Sequence, residues 1–201
     1  MRESYQKTLD IFQKRDGGLL RASQAKQLGI NEKTLSDMLS QGFLIREDRG
    51  IYRLEEHPPL SNPDFVLVSI RAPKAVICLI SALSFHNLTT EIPSNVYIAL
   101  PRDIKKPRIK YPPLYVIRLK YKAYRSGVEK HMLDGVPVKI YNKEKAVTDC
   151  FKFRNKIGKD IAIEALKEYM RLPNRDIETL LHYARVDRVE KIMRPYIEAL
   201  A

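Results

Sequence analysis

"GINEKTLSDMLSQGFLIREDRGIYRL", residues 29–54, opens on a turn glycine, passes through helical periodicity and ends in two short alternating segments. Asn31 stands where a helix start needs a side-chain acceptor, and Leu35, Met38 and Leu39 share one face of the helix expected over 32–41. Turning that face inward leaves Lys33, Ser36, Asp37 and Ser40 outward. Beyond Gly42, "FLIRE" and "IYRLE" alternate apolar and polar residues around "DRG", a hairpin turn with glycine where positive φ is wanted.

Upstream, Tyr5, Leu9 and Phe12 recur at helical spacing, and the glycines of "RDGG", 15–18, end that helix. A second short helix follows, with Ala22, Ala25 and Leu28 as its expected buried face, and Gly29 supplies the sharp turn into the next helix. Three helices and a hairpin make a winged helix-turn-helix over residues 1–56. Read functionally, helix 32–41 enters a major groove, with Lys33, Thr34, Ser36, Asp37 and Ser40 as contact residues. Arg49 then sits at the wing tip and Arg53 on the returning strand, near the DNA backbone. Read otherwise, this is a protein-binding winged helix in which Lys33 and Asp37 pair with each other at the surface.

Charge bears on the choice. The chain of 201 residues carries a formal +12, a field that attracts nucleic acid or an acidic protein face. Residues 1–60 hold 10 basic and 9 acidic side chains, whereas residues 101–160 hold 17 and 6. The excess therefore lies outside the winged helix. Much of it is in "PRDIKKPRIKYPP", 101–113, a proline-stiffened connection between two expected strands with Arg102, Lys105, Lys106, Arg108 and Lys110. Prolines restrict such a loop in advance, so less entropy is lost when it is ordered on a partner. The loop has three readings: contact with DNA phosphates, contact with an acidic protein, or simple solvation. Tyr111 alone is weak support for base stacking.

"EEHPPLSNPDF", 55–65, has three prolines and no apolar period, which places a domain boundary there and a second domain over 61–201. That domain is expected to open with a helix entered through Asn62 or Asp64 and a buried helix over "KAVICLISALSFHNLTT". Strands are expected at 95–100 and 114–121, then a hairpin turning at Asp134-Gly135. Four helices should close the chain, one starting from Asn142, one from Asn174, and the last kinked or interrupted at Pro195. The fold class is α+β.

The composition, 44% hydrophobic, excludes a disordered chain. No apolar run reaches the roughly 18 residues of a membrane span, and "MRESYQKTLD" lacks a signal peptide's apolar centre, so no membrane partner and a cytoplasmic location are expected. Cys78 and Cys150 lack metal-ligand spacing and read as buried thiols. No nucleotide, zincin or hydrolase motif is present, and His86, His131 and His182 read as packed or surface histidines. Neither an enzyme, a cofactor nor a metal is expected.

The runs "SALSFHNLTTEIPSNVYIALPR", "GVPVKIYNKEKAVTDCFKFRNKIGKDIAIEALKEYMR" and "LLHYARVDRVEKIMRPYIEAL" carry a resemblance. With the winged helix before them, they make the chain resemble the AbiEi family of bacterial antitoxins, in the family's order. The diagnostic stretch is "YNKEKAVTDCFKFRNKIG", where Tyr141, Asp149, Phe151, Lys152, Phe153 and Arg154 fall on the family's antitoxin-domain pattern. Asp149 is expected to pair with Lys145 or Lys152 at the surface, one helical turn away. Asn31, Glu32 and Lys33 depart from the family, which often carries arginines there. The resemblance implies a mixed α/β antitoxin domain and a repressor of its own toxin-antitoxin operon, bound to promoter DNA with inverted repeats. It also implies action against an AbiEii-like nucleotidyltransferase toxin. Whether that toxin is touched directly is left open, and the alternative is a module that neutralises it by contact with the winged helix as scaffold.

Overall fold

The computed structural model describes residues 3–200. Two compact units are formed, one by the chain up to Leu67 with Met132–Pro137, the other by Val68–His131 with the chain from Val138 onward.

In the first unit, α1 (Glu3–Gln13), α2 (Ala22–Gln27) and α3 (Glu32–Ser40) precede the hairpin of β2 (Leu44–Asp48) and β3 (Ile51–Leu54). A three-residue strand not expected from the sequence, β1 (Leu19–Arg21), pairs antiparallel with β3, Leu20 opposite Tyr52, giving the order β1-β3-β2. Tyr5, Phe12, Leu20, Ala25, Ile30, Leu35, Met38, Leu44 and Leu54 form one buried cluster. Each fully buried aliphatic or aromatic side chain contributes about 1.5–3 kcal/mol, which is what holds so short a unit together. The expected inner face of α2 is corrected: Ala25 is buried, but Leu28 is 45% exposed. The helix ends at Gln27, Gly29 turns at φ +79°, and Ile30 takes the core place instead. The turn at residues 132–137, Asp134 φ 49° and Gly135 φ 72°, has the two positive φ values of a tight hairpin. Its Asp134 carboxylate accepts from the Ser61 N–H at 3.0 Å.

α4 (Pro63–Arg71) leads into a five-stranded sheet of order β6-β5-β4-β8-β7, made of β4 (Val76–Ile77), β5 (Val96–Pro101), β6 (Leu114–Leu119), β7 (Val128–Leu133) and β8 (Val136–Tyr141). The run read as one buried helix, 74–90, is instead β4 followed by α5 (Leu79–Phe85). Cys78 is extended (φ −145°, ψ 179°) and Leu79 has φ 47°, so no helix passes through them. β5 and β6 pair in parallel, which obliges the basic connection to travel back the length of a strand before β6 begins. A short α6 (Tyr121–Arg125), also unexpected, follows β6.

The closing helices are α7 (Lys143–Lys152), α8 (Arg154–Ile157), α9 (Lys159–Met170), α10 (Ile177–Asp187) and α11 (Glu190–Leu200). Asn142 caps α7 as expected, its Oδ1 accepting from Lys145 N–H at 2.9 Å. α10 is capped by Asp176 and not by Asn174: its carboxylate accepts from Thr179 N–H at 2.9 Å and from the Thr179 hydroxyl at 2.7 Å. Pro195 lies inside α11, which runs on past it. α7 is the spine of this unit, buried continuously from Lys145 to Phe151.

Candidate nucleic-acid interface

Leu35 and Met38, 2% and 0% exposed, fix the rotation of α3 against the first unit's core. The helix start is held by Asn31, whose Oδ1 accepts from the Lys33 N–H at 2.9 Å. With those constraints Lys33, Ser36 and Ser40 are exposed on the opposite face, while Thr34 and Asp37 are half-buried at its edges. Ser40 Oγ donates to the Asp37 carbonyl at 2.8 Å, leaving its oxygen as an acceptor. A cleft of about 490 Å³ beside the start of α3 is lined by Asn31 and Thr34 together with Lys7 and Lys14 of α1. Backbone N–H groups, hydroxyls and ammonium groups in one place can position a phosphate, while short polar side chains along α3 can meet base edges.

The wing places its two arginines differently. Arg49 is exposed at the tip, where Gly50 (φ 70°) closes the turn and the Asp48 carboxylate accepts from the Arg49 N–H at 2.6 Å. Arg53 is 4% exposed. Its Nε meets Glu47 Oε1 at 2.5 Å, and its Nη1 donates to the carbonyls of Leu54, at 2.9 Å, and His57. The expectation that Arg53 lies near a DNA backbone is therefore corrected: the side chain is buried, with its Nε and Nη1 donors spent inside the unit.

In the second unit, Arg102, Lys105, Lys106, Arg108 and Lys110 are all exposed on the connection between β5 and β6. Tyr111 is exposed with them, at 68%. The root of this connection is tied down by Arg118, whose Nη1 donates to the carbonyls of Pro101 (3.2 Å), Arg102 (3.4 Å) and Ile104. Five cations on a stretch anchored at its base can contact phosphates without any of them reading a base.

Of the antitoxin-domain pattern residues, Tyr141, Asp149 and Phe151 are buried, while Lys152, Phe153 and Arg154 are half-buried. Tyr141 is fully buried and donates its hydroxyl to the Tyr124 carbonyl at 2.8 Å, and burial pushes its phenol well up. Lys145, Asp149 and Asp187 have side chains of zero exposure. Lys145 Nζ bonds Asp149 Oδ1 and sits 2.9 Å from Asp187 Oδ2, while Lys152 Nζ reaches Asp187 Oδ1 at 2.8 Å. The expected surface pairing of Asp149 is corrected: the partner is Lys145, but the pair is in the core, and Lys152 goes to Asp187. Burial, countered by Lys145 and reinforced by Asp187, pushes the Asp149 carboxyl up to about 7. For Asp187, burial acts upward too, but Lys145 and the hydrogen bond from Lys152 outweigh it and hold the carboxyl below the usual range. Phe153 caps the end of α7, half-buried, and Arg154 Nη1 donates to the Phe151 carbonyl at 2.7 Å. This constellation organises helices. Its hidden member, Asp187, lies 38 residues beyond Asp149, and no local pattern announces it.

His86 donates from Nε2 to the Tyr141 carbonyl at 2.8 Å, and His131 lies 3.0 Å from Glu129. Cys78 and Cys150 are buried free thiols. Among the described residues no group of three or more His, Cys, Asp and Glu could hold a metal ion, and no helix is long and apolar enough to cross a membrane.

Residues 7–54 match a family model described as "Transcriptional regulator, AbiEi antitoxin". No curated protein matches the sequence. Among solved structures, the RV2827C protein from Mycobacterium tuberculosis is similar in fold, with a TM-score of 0.57 at 13% identity. That similarity covers 83% of this chain and 66% of the other, so the chain spans just under two thirds of its neighbour's length. The matched segment runs from within α1 to the end of β3 and contains α3 and the wing. Over residues 7–54, the chain is similar to the AbiEi family of antitoxin transcriptional regulators.

Proposed function

We propose that this protein represses its own toxin-antitoxin operon by binding promoter DNA and acts as the antitoxin to an AbiEii-like nucleotidyltransferase toxin. The observation that carries the reading is the exposed polar face of α3, with Lys33, Ser36 and Ser40 outward from a helix capped by Asn31, inside the segment that matches the family. Base recognition belongs to α3, with Thr34 and Asp37 at its margins and Arg49 steadying the duplex from the wing. Long-range attraction for phosphates comes chiefly from Lys105, Lys106, Arg108 and Lys110, since residues 1–60 have a formal charge of only +1. The division of the chain is winged helix over 1–56 and antitoxin domain over 61–201. The protein performs no catalysis in this role.

The test is a mobility-shift titration of the full chain on its own promoter with random DNA as competitor, beside rescue of cells expressing the toxin. Selective retention of promoter DNA together with rescue supports the whole reading. Rescue and toxin coelution without promoter preference would instead make α3 a scaffold and the protein a contact inhibitor.

A further inference from the structure

A second concavity, of about 450 Å³, lies wholly within the second unit, beside the ends of β5, β6, α7 and α10. That volume falls in the range of small-molecule sites, about 300–1,000 Å³. Its lining holds seven basic side chains and a single carboxylate, Asp187. Three of the cations are already engaged: Arg118 with backbone carbonyls, Lys152 with Asp187 at 2.8 Å, and Arg185 with Glu190 at 3.4 Å. The other four, Arg102, Lys120, Lys122 and Arg188, are exposed and have no carboxylate within salt-bridge distance among the described residues. Asp187 cannot neutralise them, because Lys145 and Lys152 occupy both of its oxygens.

Cations favoured at helix C-termini would account for Arg185, Lys152 and Lys122, the last in the final turn of α6. They do not account for Arg102 and Lys120, which follow strands. Nor do they account for Arg188, which holds the left-handed conformation (φ 61°, ψ 37°) after α10 where glycine or asparagine is ordinarily found. Leu119, Ala123 and Val186 add an apolar wall.

We infer that this pocket binds the phosphate chain of a nucleotide-sized ligand, a nucleoside di- or triphosphate. Guanidinium and ammonium groups converging from separate segments suit several negative charges clustered in one concavity, with arginines able to donate in pairs to phosphate oxygens. A nucleic-acid backbone spreads its charges along a line, and the exposed Lys105, Lys106, Arg108 and Lys110 are not part of the lining. The inference is therefore independent of the DNA-binding reading.

The experiment is isothermal titration of the full chain with a nucleoside triphosphate, the matching diphosphate and monophosphate, the bare nucleoside, tripolyphosphate, and a short single-stranded oligonucleotide. Affinity should rise with the number of phosphates, and the bare nucleoside should not bind. Arg188→Gly suits the left-handed backbone, so it removes the side chain without harming the fold. Combined with Lys120→Ala and Lys122→Ala, it should weaken triphosphate binding about tenfold or more, since charge-assisted hydrogen bonds are lost. A thermal melt should be unchanged, and Lys105→Ala/Lys106→Ala should leave nucleotide affinity intact. No saturation at millimolar triphosphate, equal affinity in the triple variant, or tighter binding of the oligonucleotide through the same three residues would each overturn the inference. Promoter binding by the same samples reports separately on the DNA reading.

Discussion

Lys145 on α7 and Asp187 at the end of α10 meet at 2.9 Å, Nζ to Oδ2, with neither side chain exposed. Taking both charges out of water is costly, and their attraction offsets that cost only while each keeps its partners. Lys145 also holds Asp149, and Asp187 also holds Lys152, so the pair lies at the centre of a chain of four charges that ties α10 to α7. Lys145→Ala would leave two buried carboxylates facing each other. Removal of one partner of a buried pair costs roughly 3–5 kcal/mol, so the variant should unfold at clearly lower denaturant, read by circular dichroism. A midpoint within error of the wild type would mean that the charges contribute nothing to the fold.

Stability should also depend on pH through Asp149. Its folded carboxyl is raised to about 7, by burial first and by Asp187, against the pull of Lys145. An unfolded aspartate titrates near 4. Between those values the folded chain keeps a proton that the unfolded chain has released, so this contribution is complete below about 4 and is lost as pH rises through about 7. Asp187 works in the opposite direction, its lowered carboxyl losing its contribution only under stronger acid. Wild type should therefore gain on Asp149→Asn as pH falls from 8 to 5, by at most about 1.4 kcal/mol per pH unit. Urea midpoints for both proteins that stay parallel across that window would refute the assignment.

The two wing arginines should separate binding from folding. Arg53→Ala removes donors to Glu47 and to two carbonyls in a buried place, and should destabilise by roughly 1.5–3 kcal/mol while leaving the base preference of the folded fraction unchanged. Arg49→Ala should leave the melting temperature nearly unmoved and weaken operator and random DNA alike. Melts and filter-binding curves on the two variants give the comparison, and a swap of phenotypes would return Arg53 to the DNA face.

Much of α3 was legible because its signals are local: an asparagine cap, then leucine and methionine three apart, then Gly42 and Gly50 at turns. Alternation places Arg53 with Ile51 on the face of β3 opposite Tyr52 and Leu54, which meet the core cluster. Its burial against Glu47 and the Leu54 and His57 carbonyls was therefore not written in the period. Arginine's usual exposure hid it. β1 could not be read because three residues carry no period, and its identity depends on pairing with β3 some thirty residues later. In the run from Val76 to Phe85 every face is apolar, so periodicity could not separate a two-residue strand from a helix. The family-like stretch around Asp149 was visible as a pattern, but its burial was not. Nothing near residue 149 indicates that Asp187 will come to it.

Base reading by α3 should show as altered preference. Lys33→Ala or Ser36→Ala should change which operator bases are tolerated, with a loss on the order of 1–3 kcal/mol at a contacted base pair. Both side chains are exposed, so folding should be unaffected. Operator-variant competition measures the preference. If the combined replacement of Lys33, Ser36 and Asp37 leaves that preference untouched, α3 reads nothing.

The distant charge should appear in the salt dependence. A winged helix whose sixty residues carry a formal +1 exerts little long-range pull on a phosphate backbone, and Arg53 is paired internally. Residues 101–160 hold 17 basic against 6 acidic side chains, several on the exposed connection after β5. Each phosphate neutralised on duplex DNA adds about 0.9 to the slope of log affinity against log salt. Replacing Lys105, Lys106, Arg108 and Lys110 by alanine should flatten that slope by as much as about 3.6 if all four reach phosphates. Affinity for operator and random DNA should fall together, and the operator preference should survive, because phosphate contacts position a duplex without reading its sequence. The measurement is a salt titration of operator binding by wild type and the fourfold variant. Equal slopes would take this loop off the DNA, whereas a flattened slope with toxin rescue intact would assign DNA attraction and antitoxin activity to different side chains of the same unit.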